Sequence, residues 1–554
     1  MLRDSQVIQD GDKSRVQDAP SSEARLMATR WRWLPSILAL AMIGYWLVVK
    51  SVLFHRLEYT SDLITSLQLT RSFFEGHPLL WDNIYGNHKA FHNLYIALLL
   101  YPLTRFLGAY GLFLAQALLY GWAVYKILGC ARDAVGWKRG LYWATVAAIA
   151  VGPVGFWIFE DPVYGFHYEL LFVPLAVLFA LSLSKRSKSA WIFAGLIVLT
   201  REEGAVLAWG IHVLYEVLNA EDTGDVTARI ALLRKLGWIT LAWVLVFLAG
   251  MGLLFAMAGS HGRHGSTISG LPRLIADPEA RSSLLASLTD AILLLAAGGV
   301  VYLAGIPPRG LKASALISLV LVAPTAVASS FYGKEVGYHG FAWPPRFALF
   351  WAVALVGCLF AIDRAREPAF AAWRRRRSAV AIAVAISVVA QIGILGVRKR
   401  YDFFSRFTLQ AFFAPASLAA LIVPQSTLQE YLSRPRYVSA GLSPPEDAFL
   451  SCLGHDLPRE TAVSATGGLF GRFHQQDLIK PDRVAIAGKQ PELVVCDNSG
   501  RIPWEYGCQS LSSALSPSSY DTLQLGNLSV RFTVKTKAVV ETCAAKALAS
   551  AGGK

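Results

Sequence analysis

Apolar residues in this chain come in blocks about as long as a membrane is thick, set apart by short polar segments. The blocks are 33–54, 109–130, 139–159, 169–184, 189–200, 204–218, 236–259, 283–304, 311–331, 347–363 and 378–397. As helices, the longer blocks rise about 30 Å, the thickness of a bilayer's hydrocarbon core. The pattern predicts an all-α polytopic membrane protein with about eleven transmembrane helices across 33–400, with a long first outer loop at 55–108. Segment 93–107 is apolar too, but it is short and interrupted by Pro102 and Arg105. It reads as an interfacial or half-inserted helix.

One stretch decides the sidedness of everything after it. Residues 189–218 are broken in the middle by Arg201, Glu202 and Glu203. Read as one span, the stretch inverts every later loop. Read as two short helices, it keeps the sides consistent and brings three charges within bilayer depth, where charge must face protein or a water-filled cavity.

The pattern stops at both ends. Residues 1–32 are polar and of mixed charge, as in a disordered cytoplasmic N-terminus. Residues 401–434 read as an interfacial linker. From 435 to 554 the long blocks give way to strand-like runs (TAVSATG, RVAIAG, ELVVCD, LSVRFTV) separated by turns, which predicts a small soluble α/β domain.

Composition agrees with this division. Of 554 residues, 54% are hydrophobic and 16% charged, and mean hydropathy is +0.43. A soluble chain carries about 25% charged residues. The net charge of +14 does not point to nucleic acid, because the basic residues sit in short clusters between apolar blocks. With the N-terminus in the cytoplasm, the cytoplasmic loops collect Lys185, Arg186 and Lys188, then Arg229, Arg234 and Lys235, and later the four arginines 374–377. This is the positive-inside asymmetry of a bacterial inner-membrane protein. It places the C-terminal domain in the periplasm. Segment 407–423 is the alternative twelfth span, which would return that domain to the cytoplasm.

Cys130 and Cys358 lie at or within apolar blocks, whereas Cys452, Cys496, Cys508 and Cys543 all fall in the terminal domain. An even number there suits an oxidising compartment, and no metal-type CxxC spacing occurs. The expected pairs are Cys496 with Cys508, closing a short loop, and Cys452 with Cys543, tying the ends of the domain together.

With topology signals set aside, the remaining charged and imidazole groups gather on the outer side. Asp62 lies in an amphipathic stretch just after the first block, with His88 and His92 further along the same loop. A second loop holds His167 and Glu169. Arg201, Glu202 and Glu203 break the stretch described above, and a later loop adds His339 and Arg346. Charge at membrane depth is costly and marks function, so Asp62, His88, His167, Glu169, Arg201, Glu202 and His339 are expected to line one cavity. His88, His167 and Glu169 together offer mixed nitrogen and oxygen ligands that suit Mn or Zn better than Ca. No cofactor is required by the pattern, and a divalent metal is an option.

Four patches in this order resemble a family. Asp62-Leu63 with Gln68 resembles its opening Asp-Leu…Gln helix, and Asn87-His88 its Asp-His-Phe-Ser-Pro loop. Phe166-His167-Tyr168-Glu169 is similar to its Phe-His-Pro-Glu, and Arg201-Glu202-Glu203 stands where it has Lys-Glu-Asp. The family is the bacterial membrane group named domain of unknown function 2079, distantly similar to GT-C glycosyltransferases. Asn87, Tyr168, Arg201 and Glu203 depart from its pattern. Arg for Lys keeps the charge but not the geometry, which argues against a general base at that site.

The resemblance implies a GT-C-like fold and a polyprenyl-phosphate-linked sugar donor used at the periplasmic face. By that likeness Asp62 is the base, with Glu169 the next candidate. Gln68, His88, His167, Arg201, Glu202, Glu203, His339 and Arg346 bind substrate, with Arg201 or Arg346 on the phosphate. Membrane lipid is the expected partner, and no protein partner is indicated. Two other classes remain open: a transporter or flippase for a lipid-linked or anionic substrate, and a non-catalytic envelope assembly factor.

Overall fold

A computed structural model describes residues 33–55, 59, 61–82, 86–87, 92–150, 165–220, 225–258, 317, 320, 344–364, 442–465, 467–473, 475–479, 490–498 and 519–552. The described residues are mostly helical, with a five-stranded sheet and a two-stranded ribbon. In chain order the first helices are α1 (Leu34–His55), α2 (Ser61–Arg71), α3 (Ile96–Leu107), α4 (Ala109–Asp133) and α5 (Trp137–Ala150). They are followed by α6 (Phe172–Ser184), α7 (Ser189–Thr200), α8 (Gly204–Asn219), α9 (Val226–Ala258) and α10 (Pro344–Arg364).

Three helices among the described residues are long and apolar enough to cross a membrane: Leu34–Ser51 within α1, α4, and Val226–Ala256 within α9. Shorter apolar helices are Ile96–Leu107, Tyr168–Ser184 and Ser189–Thr200. The expected spans at 283–304 and 378–397, and the linker 401–434, lie outside the described residues.

Helix α6 is the centre of the helical part. Every residue from Phe172 to Leu181 is buried, as expected of a helix that is apolar all round. Helices α4, α7, α8 and α10 pack around it. By contrast α9 leaves Ile230, Leu233, Trp238 and Leu241 exposed, an apolar surface matched to lipid rather than water. The stretch 189–218 is two helices. Arg201 is in extended conformation, and α8 restarts at Gly204. An added Cβ at Gly204 would lie 2.0 Å from the Ile197 carbonyl oxygen, so only glycine allows so tight a return.

The C-terminal part is a five-stranded mixed sheet with two helices. Its elements are α11 (Pro444–Asp456), β3 (Ala462–Ala465), β4 (Asp477–Ile479), β5 (Leu493–Asp497), β6 (Asp521–Leu525), β7 (Leu528–Phe532) and α12 (Val534–Gly552), after a two-stranded ribbon of β1 (Trp81–Asp82) and β2 (Gly86–Asn87) in the first loop. The strand order is β4-β3-β5-β7-β6; β3 runs parallel to both neighbours, and β7 runs antiparallel to β5 and β6. Ser443 and Glu446 form a reciprocal cap at the start of α11, with Pro444 in the first turn. Helices α11 and α12 pack together and are joined by the disulfide Cys452–Cys543, whose Cα atoms are 5.6 Å apart. Cys496 is also disulfide-bonded; Cys508 lies outside the described residues.

The sheet domain is seated on α2. Ile64 of α2 is buried in the domain's own apolar core with Phe449, Leu453 and Phe473. Gly471 lies so close to the Phe54 ring of α1 that a Cβ there would fall 2.4 Å from it.

Candidate functional site

The site is built where α2, the turn before α6 and the break between α7 and α8 meet. Asp62 sits in the first turn of α2, where the helix dipole favours a carboxylate. His167 precedes a short 3-10 turn, Tyr168–Leu171, which carries Glu169 and leads directly into α6. Two hydrogen bonds tie that turn to its neighbours. Tyr168 donates its hydroxyl to the Ser66 carbonyl of α2 at 2.6 Å, and Tyr120 of α4 donates to the Leu170 carbonyl at 2.7 Å.

One continuous polar chain runs through these elements. Asp62 Oδ2 lies 3.7 Å from His167 Nε2, and His167 Nδ1 lies 3.6 Å from Glu169 Oε2. Arg201 Nη1 donates to Glu169 Oε1 at 2.6 Å. The same guanidinium has its Nε 3.4 Å from Glu202 Oε1 and 3.0 Å from Glu203 Oε2. Glu202 in turn meets His92 Nδ1 at 2.7 Å and accepts from the Asn93 backbone N–H at 3.2 Å. The Asn93 amide reaches across to the Gly250 carbonyl of α9 at 3.0 Å.

Burial disfavours a charged His167, but the hydrogen bonds and negative charges of Glu169 and Asp62 outweigh it and raise its pKa to about 9. The imidazolium therefore stands between two carboxylates at neutral pH. Asp62 has its side chain 30% exposed, whereas Arg201 is only 13% exposed and faces three carboxylates. Asp62 and Glu203, at 30% and 28%, are the more open acids of this chain, and of the two only Asp62 is not in contact with Arg201 among the ion pairs of this site. Arg201 is held inside the protein by its carboxylates, a poor position for gripping an external phosphate.

Sequence reasoning singled out Asp62, His167, Glu169, Arg201, Glu202 and Glu203, and the structure brings these six together. Gln68 is not in the chain. It lines a neighbouring cavity of about 500 Å³ between α2, α3 and the sheet domain, together with Arg71, Trp81, Tyr101, Arg105 and Arg459. His88 and His339 lie outside the described residues, as does the side chain of Arg346, whose backbone is in α10. The suggested ligand set of His88, His167 and Glu169 is therefore described only in its last two members, and these contact each other and Asp62 or Arg201.

Two residues were missed. His92 was noted in the loop but not assigned to the site, and it is the buried partner of Glu202. Lys50 lies inside the first apolar block and is only 1% exposed. It donates to the Gly165 carbonyl and sits over the Tyr59 and Phe113 rings. Gly165 has φ +70, and an added Cβ would lie 2.8 Å from the Tyr59 ring, so lysine and glycine together fix the approach to His167. A cation within an apolar run was the available signal for Lys50.

Comparison with protein-family models, with curated proteins and with solved structures finds no match.

Proposed function

We propose that the protein is a multi-pass protein of the bacterial inner membrane that transfers a sugar from a polyprenyl-phosphate carrier at the periplasmic face. The observation that carries this reading is Asp62. It is a partly exposed carboxylate in the first turn of a helix directly after the first candidate span, and it is oriented by His167, which Glu169 holds from behind. A carboxylate so placed accepts the proton of an acceptor hydroxyl as the glycosidic bond forms. The adjoining cavity supplies aromatic faces for sugar rings at Trp81 and Tyr101, and cations for phosphate at Arg105 and Arg459. Gln68 reaches it from the same helix, about 9 Å along the axis from Asp62. Arg201 takes an organising part, consistent with its three carboxylates.

The periplasmic placement of the C-terminal domain is supported by its disulfide, which persists in an oxidising compartment. The basic loops support the cytoplasmic side for 185–188, 229–235 and 364–377. The full topology of about eleven spans and the GT-C-like arrangement belong to this same reading.

The test is transfer from a radiolabelled polyprenyl-phosphate sugar by the purified full-length protein in liposomes. Asp62→Asn abolishes transfer if the reading is right, in protein that still folds and inserts into liposomes as the wild type does. Full activity in that variant removes Asp62 from the chemistry. One observation favours a second reading: the buried chain from His167 through Glu169 and Arg201 to Glu202 and His92 resembles the acid, base and imidazole series along which transporters move protons. Substrate flux across the liposome wall without transfer selects that alternative.

A further inference from the structure

The α7–α8 hairpin has two ends. One carries Arg201 and its carboxylates. The other, about 18 Å away along α7, opens into a different cavity of about 670 Å³, bounded by the α6–α7 turn, the end of α8 and the start of α9. Nothing in the proposed chemistry uses it.

Its polar lining is cationic. Arg186, Lys188 and Lys235 face a single carboxylate, Glu216, which Lys235 already pairs with at 2.6 Å. Trp191 stands at the wall, 59% exposed and edge-on to the His212 ring at 5.6 Å. Indole at such a boundary is typical of the headgroup level of a bilayer. Directly alongside runs α9, the most exposed of the candidate spans, with only 11% of its apolar window buried. On the face of α9 that carries Leu232 and Lys235, Ala242 and Val246 lie about two and three turns beyond Lys235 and are exposed, so apolar surface continues from the cavity along the helix. Basic residues as topology signals need only charge. They need neither a cavity nor an indole, nor an apolar wall continuing out of it.

We propose that this cavity binds the headgroup of an anionic phospholipid. The phosphate lies among Arg186, Lys188 and Lys235, the glycerol region lies against Trp191, and an acyl chain lies along the face of α9 that leads from Lys235 to Ala242 and Val246. The arrangement matches the basic pockets between helices that hold acidic lipid headgroups. The proposal is independent of the sugar-transfer reading, because it concerns the opposite end of the hairpin and shares no residue with it.

Native mass spectrometry of the full-length protein in detergent, titrated with phosphatidylglycerol, phosphatidylcholine or inorganic phosphate, tests it. Retention of phosphatidylglycerol in preference to phosphatidylcholine is expected, weakened about tenfold or more in the R186Q/K188Q double variant. Both residues are exposed, so the variant keeps the wild-type unfolding temperature; Trp191→Ala is the second variant and weakens retention without removing charge. Equal retention of the two lipids overturns the proposal, as does a double variant that binds like wild type. Displacement of the lipid by inorganic phosphate also overturns it, because the ligand is then a free anion.

Discussion

Asp62 Oδ2 stands 3.7 Å from His167 Nε2, and the opposite nitrogen of the same ring stands 3.6 Å from Glu169. The imidazole thus links the helix after the first span to the turn before the central helix. Its pKa is raised from 6.5 to about 9, and a group whose folded pKa lies above its unfolded value stabilises the fold below the unfolded value and loses that contribution as pH rises through the folded one. Wild-type stability in detergent is therefore expected to fall between about pH 6.5 and pH 9, by an amount on the order of 3 kcal/mol. His167→Gln flattens this part of the profile. Thermal unfolding across that range measures it, and an equally steep decline in the variant would assign the effect to another group.

Arg201 pairs with Glu169, Glu202 and Glu203 at once. Its replacement by Met leaves buried carboxylates without their cation, a loss of about 3–5 kcal/mol. Adding Glu169→Gln to that variant recovers part of the loss, because the two residues share one interaction. Strict additivity of the two changes would show that they act separately.

Lys50 holds the Gly165 carbonyl from within α1. Lys50→Met keeps the length and most of the apolar stem while removing the donor. Hydrogen exchange in 165–171 is expected to quicken, with α6 unaffected. Unchanged exchange there would mean that the Tyr168 and Tyr120 hydroxyl bonds suffice to hold the turn.

The bridge Cys452–Cys543 closes a sequence separation of 91. Chain-entropy reasoning assigns such a loop a stabilisation of about 4.6 kcal/mol. The C452S/C543S variant should open the α11–α12 pair to limited proteolysis at temperatures where wild type resists. Equal resistance would show that packing alone holds the two helices.

The break at Arg201-Glu202-Glu203 was legible because three charges interrupt an apolar run, and charge at that depth needs partners. The same logic brought Asp62, His167 and Glu169 forward. Three strands were legible from their β-branched runs: β3, β5 and β7. The edge strands β4 and β6 were not, since DLI is only three residues long and DTLQL is largely polar and open to solvent, and both owe their conformation to pairing with β3 and β7. Helix α9 begins at Val226, ten residues before the expected block at 236, because its first turns are helical without being uniformly apolar. Lys50 was masked by its own block. The seating of the sheet domain on α2 had no local signature at all, since it depends on residues far apart in the chain.

Ile64 bears on how the molecule is made. This side chain belongs to the second described helix, yet its apolar neighbours, Phe449, Leu453 and Phe473, emerge from the ribosome only after the described helices of the helical part. Until then the helix that carries Asp62 has one face without its final covering. The packing of the helix that carries Asp62 is consequently completed only after the sheet domain is made, and a chain cut short before that domain would leave Asp62 on a helix lacking its outer support. The sheet domain acts in this sense as a late clasp, tying the order of synthesis to the final packing of the helix that carries Asp62.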